Sequence, residues 1–170
     1  MEQQRLDAAA QPTHVKVHAQ YLKDLSFENP NAPHSLQPLK AQPHMDVNIV
    51  LDANKITDPA NDGLYESAIT MTVKSTAEDT VLFITEITYA ALVSFGKEVP
   101  EEHIKPILYI EVPQMIFPFV RQLVANASIA GGFPPVLLNP VDFRAMYADA
   151  VTRQADAAET PVAQNGAAAH

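Results

Sequence analysis

The chain has 170 residues, 47% of them apolar, enough for one domain with its own core and too many for a disordered chain. It contains no cysteine, which excludes disulfides and thiolate metal sites. Its 20 acidic residues outnumber 11 basic ones for a net charge of −9, whereas a nucleic-acid grip needs a basic face to displace phosphate counterions; no nucleic acid is expected, and a specific partner should be basic.

Residues 1–12 are polar and Ala-rich and read as a disordered tail. They lack a basic start followed by an apolar stretch, so no signal peptide is expected. No run approaches the roughly 18 apolar residues that would span a bilayer, and a cytoplasmic location without stable membrane insertion is expected. From Val15 to Glu28 the residues alternate with a period of two, with one lapse at Leu22 and Lys23, which predicts a strand. Asn29-Pro30-Asn31-Ala32-Pro33 breaks it. A second alternation sets Met45, Val47, Ile49, Leu51 and Ala53 against Asp46, Asn48 and Asp52. Asp58 to Gly63 reads as a turn. A third alternation sets Tyr65, Ile69, Met71 and Val73 against Glu66, Thr70, Thr72 and Lys74. The fourth run, Thr80 to Phe95, alternates less, and its apolar stretch Val81 to Ile84 suggests cover on both faces. Short links between the strands predict an antiparallel meander.

The second half reads as helices. Pro113 suits a first helical position, and Met115, Ile116, Phe119, Val120, Leu123, Val124 and Ala127 then recur at helical spacing up to Gly131-Gly132. Pro118 inside this pattern predicts a kink or a late start. Asn139 and Pro140 predict the cap and first turn of a last helix, with its apolar stripe at Phe143, Met146, Tyr147, Ala150 and Val151. Residues 13–152 therefore form one α+β domain, a four-stranded antiparallel sheet followed by a long helix and a shorter one, and 153–170 form a disordered tail. The wide stripe of the long helix exceeds what one sheet can cover, which predicts a homo-oligomer.

The sequence holds no constellation that would support catalysis. His14 and His18 have no cysteine or carboxylate cluster to complete a zinc set, so no metal and no cofactor are expected. Glu101-Glu102-His103, between Pro100 and Pro106, reads as a solvated loop. There is no Gly-x-Ser-x-Gly elbow and no phosphate-binding loop, and Asn126-Ala127-Ser128 is a chance match to a glycosylation sequon. The acids carry more information, because the alternations place Asp24, Glu28, Asp46, Asp52 and Glu66, with Glu86 joining them, on the polar face of one sheet. That is either a solvated face or a docking face for a basic partner.

Three blocks carry a family resemblance. Tyr21-Leu22-Lys23-Asp24-Leu25-Ser26-Phe27-Glu28-Asn29-Pro30-Asn31-Ala32-Pro33 resembles the first-strand signature of the SecB protein-export chaperones, Pro113 to Arg121 the start of their long helix, and Gly132 to Phe143 the link into their last helix. Order and spacing agree from about Val15 to Val151. The resemblance implies a homotetramer built as a dimer of dimers, which holds unfolded precursor proteins without ATP and delivers them to the SecA motor. It assigns SecA docking to Asp24, Glu28, Ile84 and Glu86, with any zinc belonging to SecA. It assigns a client groove to Leu36, Leu39, Phe133, Val136, Leu138, Phe143 and Met146, and core packing is an equal alternative for Phe143 and Met146. Thr85, Ile87 and Tyr89, together with Met115, Phe119 and Leu123, are the expected oligomer contacts. A departure is Ala90-Ala91, where relatives often carry a glycine pair. A related reading of the same fold is a chaperone devoted to one client, such as a toxin–antitoxin component.

Overall fold

The computed structural model describes residues 15–58, 60 and 63–159, with the backbone alone for 156–159. The expected tail at 1–12 and His14 lie outside the described residues. Four strands, β1 (Val15–Glu28), β2 (His44–Lys55), β3 (Leu64–Ala77) and β4 (Thr80–Phe95), form one antiparallel sheet in the order β1-β4-β3-β2. This corrects the expected meander. Only β2, β3 and β4 follow one another as neighbours, and β1 returns beside β4 to give a Greek key. The link from β1 to β2 is long enough for that crossing, and it is an ordered element: a short 3₁₀ turn at His34–Leu36, with Ser35 Oγ donating to Asn29 Oδ1 at 2.6 Å and Asn31 Nδ2 donating to the Val81 carbonyl at 2.9 Å.

Irregular alternation in the sequence marks bulges. In β1, Leu22 pairs with Tyr89 and Asp24 with Thr88, so Lys23 is the extra residue, at the place where the alternation lapses. His18 is a second extra residue in the same strand. In β4, Leu82 is extra between Val81 and Phe83, and it is buried together with Phe83. The apolar run at Val81–Ile84 thus reflects a bulge that shifts parity rather than simple cover on both faces.

One sheet face carries the helices. Met71, Val73, Phe83, Ile87 and Val93 on that face pack with Ile116, Val120 and Val124 of the long helix into the main core. The long helix spans Glu101–Ala130, twelve residues more at its start than Pro113 predicted. Glu101 and Glu102 lie in its first turn, where carboxylates complement the helix dipole, so the expected loop there is helix, though its side chains are exposed. By length and hydropathy this helix could cross a bilayer, but 44% of its most apolar window is buried.

Ile107–Glu111 is a π-helical stretch just ahead of Pro113. There the Val112 amide donates to the Ile107 carbonyl, one residue further back than in an α-helix. Pro113 has no amide to give, so the Leu108 carbonyl loses its backbone donor. The buried Ser67 hydroxyl on β3 supplies one, at 2.7 Å. Ser67→Ala should therefore cost about 1–3 kcal/mol, because it orphans a buried carbonyl. Chemical denaturation measures this, and an unchanged midpoint would show that the carbonyl has another donor.

The helix ends at Gly131-Gly132 as expected. Gly132 has φ +87°, and a Cβ on Gly131 would collide with the Phe27 ring. The strap that follows is tied down by buried Ser128, whose hydroxyl donates to the Ala125 carbonyl and accepts the Val136 amide at 3.0 Å. Ser128 is thus a structural anchor within its sequon. The C-terminal helix spans Phe143–Glu159, beyond the expected end of the domain at 152. Its cap is Asp142, whose Oδ1 accepts the Ala145 amide at 2.9 Å, and not Asn139.

Candidate functional site

The two faces of the sheet differ in chemistry. On the outer face, away from the helices, the register places Glu28 opposite Ile84, Ser26 opposite Glu86 and Asp24 opposite Thr88. Asp24, Glu28 and Glu86 are thus diagonal neighbours across two strands, all exposed, beside half-buried Ile84. Glu86 accepts a hydrogen bond from Thr72 Oγ1 at 3.0 Å, which steadies it from β3. The face continues over β3 and β2, where Lys74 lies opposite Asp46, and Asp46 accepts from His44 at 3.0 Å.

Glu66 occupies the same face but is engaged. Tyr21 donates its hydroxyl to Glu66 Oε2, and Lys23 Nζ lies 2.7 Å from Glu66 Oε1. The ring of Tyr21 reaches β3 over Ala90, whose neighbour on β3 is Ala68; both alanines are small and buried. Burial disfavours the Glu66 charge, but the hydrogen bonds from Lys23 and Tyr21 and the lysine's charge outweigh it and hold the carboxyl below its usual range. Burial, aided by the hydrogen bond and charge of Glu66, pushes Tyr21 up to about 12. Sequence reading placed Glu66 with the other acids on the polar face of the sheet. Its partners were invisible because Lys23 joins this face through the bulge.

On the helix side, apolar residues remain uncovered in two regions. Leu36 and Leu39, 48% and 44% exposed, lie on the β1–β2 link. Leu39 lines a recess of about 210 Å³ with Pro38, Ala41, Ala77 and Leu82, and Leu36 sits against Gly132. Beside them Phe133 packs on Phe83 and Phe27, with ring centroids 4.8 and 6.4 Å apart. The second region is a recess of about 320 Å³ between edge strand β2 and the strap, lined by Val47, Ile49, Phe117, Leu137, Leu138 and Val141. Leu137 is 80% exposed and was missed by sequence reading. Its signal was the strap's own alternation, with Val136 turned in and Leu137 out.

Several expected site residues fall elsewhere. Val136 and Phe143 are core residues, and Phe143 meets Phe117 edge-on at 5.5 Å, so neither presents surface to a groove. Leu138 and Met146 are half-buried against the core. Thr85 and Ile87 have no exposed surface in the protomer, and Thr85 Oγ1 donates to the Ser26 carbonyl; they belong to the core under the helix rather than to an oligomer contact. Tyr89 stacks on Phe119 at 5.8 Å. Met115 and Phe119 are exposed and Leu123 is half-buried, and they continue a surface formed by exposed Leu22 and Leu25 on β1.

A family model described as preprotein translocase subunit SecB matches residues 7–154. A protein-export protein SecB from Bartonella bacilliformis is 42% identical over 135 residues, covering 79% of this chain and 82% of that relative. Its counterpart from Bradyrhizobium sp. is 44% identical over 151 residues, covering 88% and 89%. Among solved structures, a SecB-like chaperone of Mycobacterium tuberculosis, in complex with a ChAD peptide from the HigA1 antitoxin, matches with a TM-score of 0.61 at 16% identity, covering 81% of this chain and 94% of that one. That likeness is one of fold.

Proposed function

The chain belongs to the SecB family of protein-export chaperones, and we propose that it holds unfolded precursor proteins on the apolar helix side of its sheet and is received by SecA on the acidic outer side. The observation that carries this reading is the division of labour between the two faces of one sheet: exposed apolar surface at Leu36, Leu39 and Leu137 on one, and on the other exposed carboxylates at Asp24, Glu28 and Glu86 that form no ion pair among the described residues. Phe133, Leu138 and Met146 border the apolar regions and complete the client surface. Ile84 gives the acidic patch an apolar centre.

The physics favours a repeated, weak client surface. Burying apolar area yields roughly 25 cal/mol per Å², while ordering each bound residue costs roughly 1–2 kcal/mol of backbone entropy. One short contact comes out near zero. Several contacts joined by the client chain act at an effective concentration of order mM. A homotetramer supplies such repeats, and Met115, Phe119 and Leu123, with Tyr89, offer the apolar surface to build it. Folded proteins escape because they bury the same residues, and the cycle needs no nucleotide. A cytoplasmic site of action fits a partner that receives precursors before export.

The test is light scattering as an unfolded secretory precursor is diluted from denaturant, with and without the chaperone and without ATP. Suppression of aggregation near one tetramer per client is expected. No effect from folded, oligomeric protein would overturn general holding and leave a chaperone devoted to a single client.

A further inference from the structure

The docking acids share their face with a cation that could silence them. Lys23 is the extra residue of the β1 bulge, and Asp24 follows it directly. Lys23 bonds Glu66, an outer-face residue two positions from Ala68, and Asp24 pairs with Thr88 on that same face. A bulge lets two successive residues share a face that regular alternation would split, so the lysine and the aspartate are side-by-side on the surface. An exposed Lys–Asp pair is worth roughly 0.2–1 kcal/mol, enough to draw a lysine that has no better partner onto the aspartate for part of the time. Here it has one, because the carboxylate of Glu66 holds the ammonium at 2.7 Å, over β3 and away from β1. Tyr21 donates to the other oxygen of the same carboxylate and fixes its direction. Asp24 has no ion pair or side-chain hydrogen bond among the described residues. The remaining charged groups of the face are Lys16 and Glu28 on β1, Glu86 on β4, Lys74 on β3, and Asp46 and Asp52 on β2. None of the cations among them is adjacent to Asp24 in the register.

We infer that Glu66 is a positioning residue for docking: by clamping Lys23 it keeps Asp24 unneutralised and available to a basic partner segment. The inference rests on the docking reading above and adds to it a residue that touches no partner. The bulge at Lys23 then has a purpose beyond bending the strand, since it brings the lysine onto the face where Glu66 can hold it.

The clamp and a merely structural latch predict different results. A latch is weakened by removing either side chain. The clamp responds with opposite signs, since losing Glu66 frees the lysine to cover Asp24 and losing Lys23 removes the competitor. Full-length SecA is titrated at low salt against the wild-type chaperone and the variants Glu66→Gln, Lys23→Met, Asp24→Asn and Glu66→Gln/Asp24→Asn, with thermal unfolding of each recorded alongside. Glu66→Gln should weaken binding about three- to fivefold, the scale of one exposed charge pair. Lys23→Met should bind as well as wild type or more tightly. Asp24→Asn should cost clearly less in the Glu66→Gln background than alone, since Asp24 is already covered there. Tyr21→Phe keeps the lysine's partner but frees that carboxylate's direction, and should weaken binding less than Glu66→Gln. Additive losses in the double variant, or weakening by Lys23→Met, would overturn the clamp while leaving docking intact. Should Glu66→Gln fail to fold, weakening by Lys23→Met would still overturn the clamp. No binding by wild type would overturn the docking reading itself, and the clamp with it.

Discussion

Glu86→Arg should weaken SecA docking at least about tenfold while leaving precursor holding unchanged. Glu86 is exposed at the centre of the acidic patch, diagonal to both Asp24 and Glu28. Reversing it replaces an attraction with a repulsion and gives each neighbouring acid an internal partner. A single exposed pair contributes roughly 0.2–1 kcal/mol, and close interfacial pairs have been worth about 1.5–7 kcal/mol. A reversal acting on a basic segment should therefore weaken binding by at least about tenfold, and the loss should shrink as salt rises. The fold should be nearly untouched, since a surface change of this kind usually lies within about 0.5 kcal/mol. Leu137→Asp should give the reverse pattern, with weaker aggregation suppression and unchanged SecA affinity. Titration with SecA and light scattering on both variants decide the matter, and loss of both activities from either one would remove the separation of faces.

The largest effect on stability should come from Phe83→Ala. Phe83 is 1% exposed and lies between Phe27 of β1, at 5.4 Å, and Phe133 of the strap, at 4.8 Å. Its ring touches both the returning strand and the segment after the long helix. Truncating a buried phenylalanine costs about 3–5 kcal/mol through lost transfer energy and the cavity left behind. For a domain of this size that is roughly a 6–20 °C fall in melting temperature. The same change should loosen Leu36 and the strap around Gly131 and Gly132, so amide exchange at Gly131, Gly132, Phe133 and Val136 should accelerate more than in the sheet centre. A drop below about 1 kcal/mol would show that the neighbouring rings collapse to fill the site.

What could be read from the sequence follows from what periodicity encodes. Alternation reports which residues share a face, and it placed Asp24, Glu28, Asp46, Asp52, Glu66 and Glu86 together correctly. It does not report which strand lies next to which, so the return of β1 beside β4 was missed. Nor does it say what covers a face. Thr85 and Ile87 were assigned outward contacts because the helix that buries them is distant in sequence. Val136 was drawn into a groove for the same reason, Phe143 was left between groove and core, and Leu137 between them was passed over. The start of the long helix was hidden by prolines. Pro106, Pro113 and Pro118 all lie inside it, and the helix survives Pro113 through the π turn and the Ser67 hydroxyl, a compensation supplied by another strand.

The Greek-key order also sets a schedule. Val15 pairs with Phe95 and Glu28 with Ile84, so β1 emerges first from the ribosome and cannot pair until β4 has followed it. β2, β3 and β4 can zip together as successive hairpins, whereas β1 must close a far longer loop, which is the slow kind of contact. Throughout that interval Leu22, Leu25 and Phe27 are carried on an unpaired, extended segment. In its own synthesis, the nascent chaperone passes through the condition of the chains it holds.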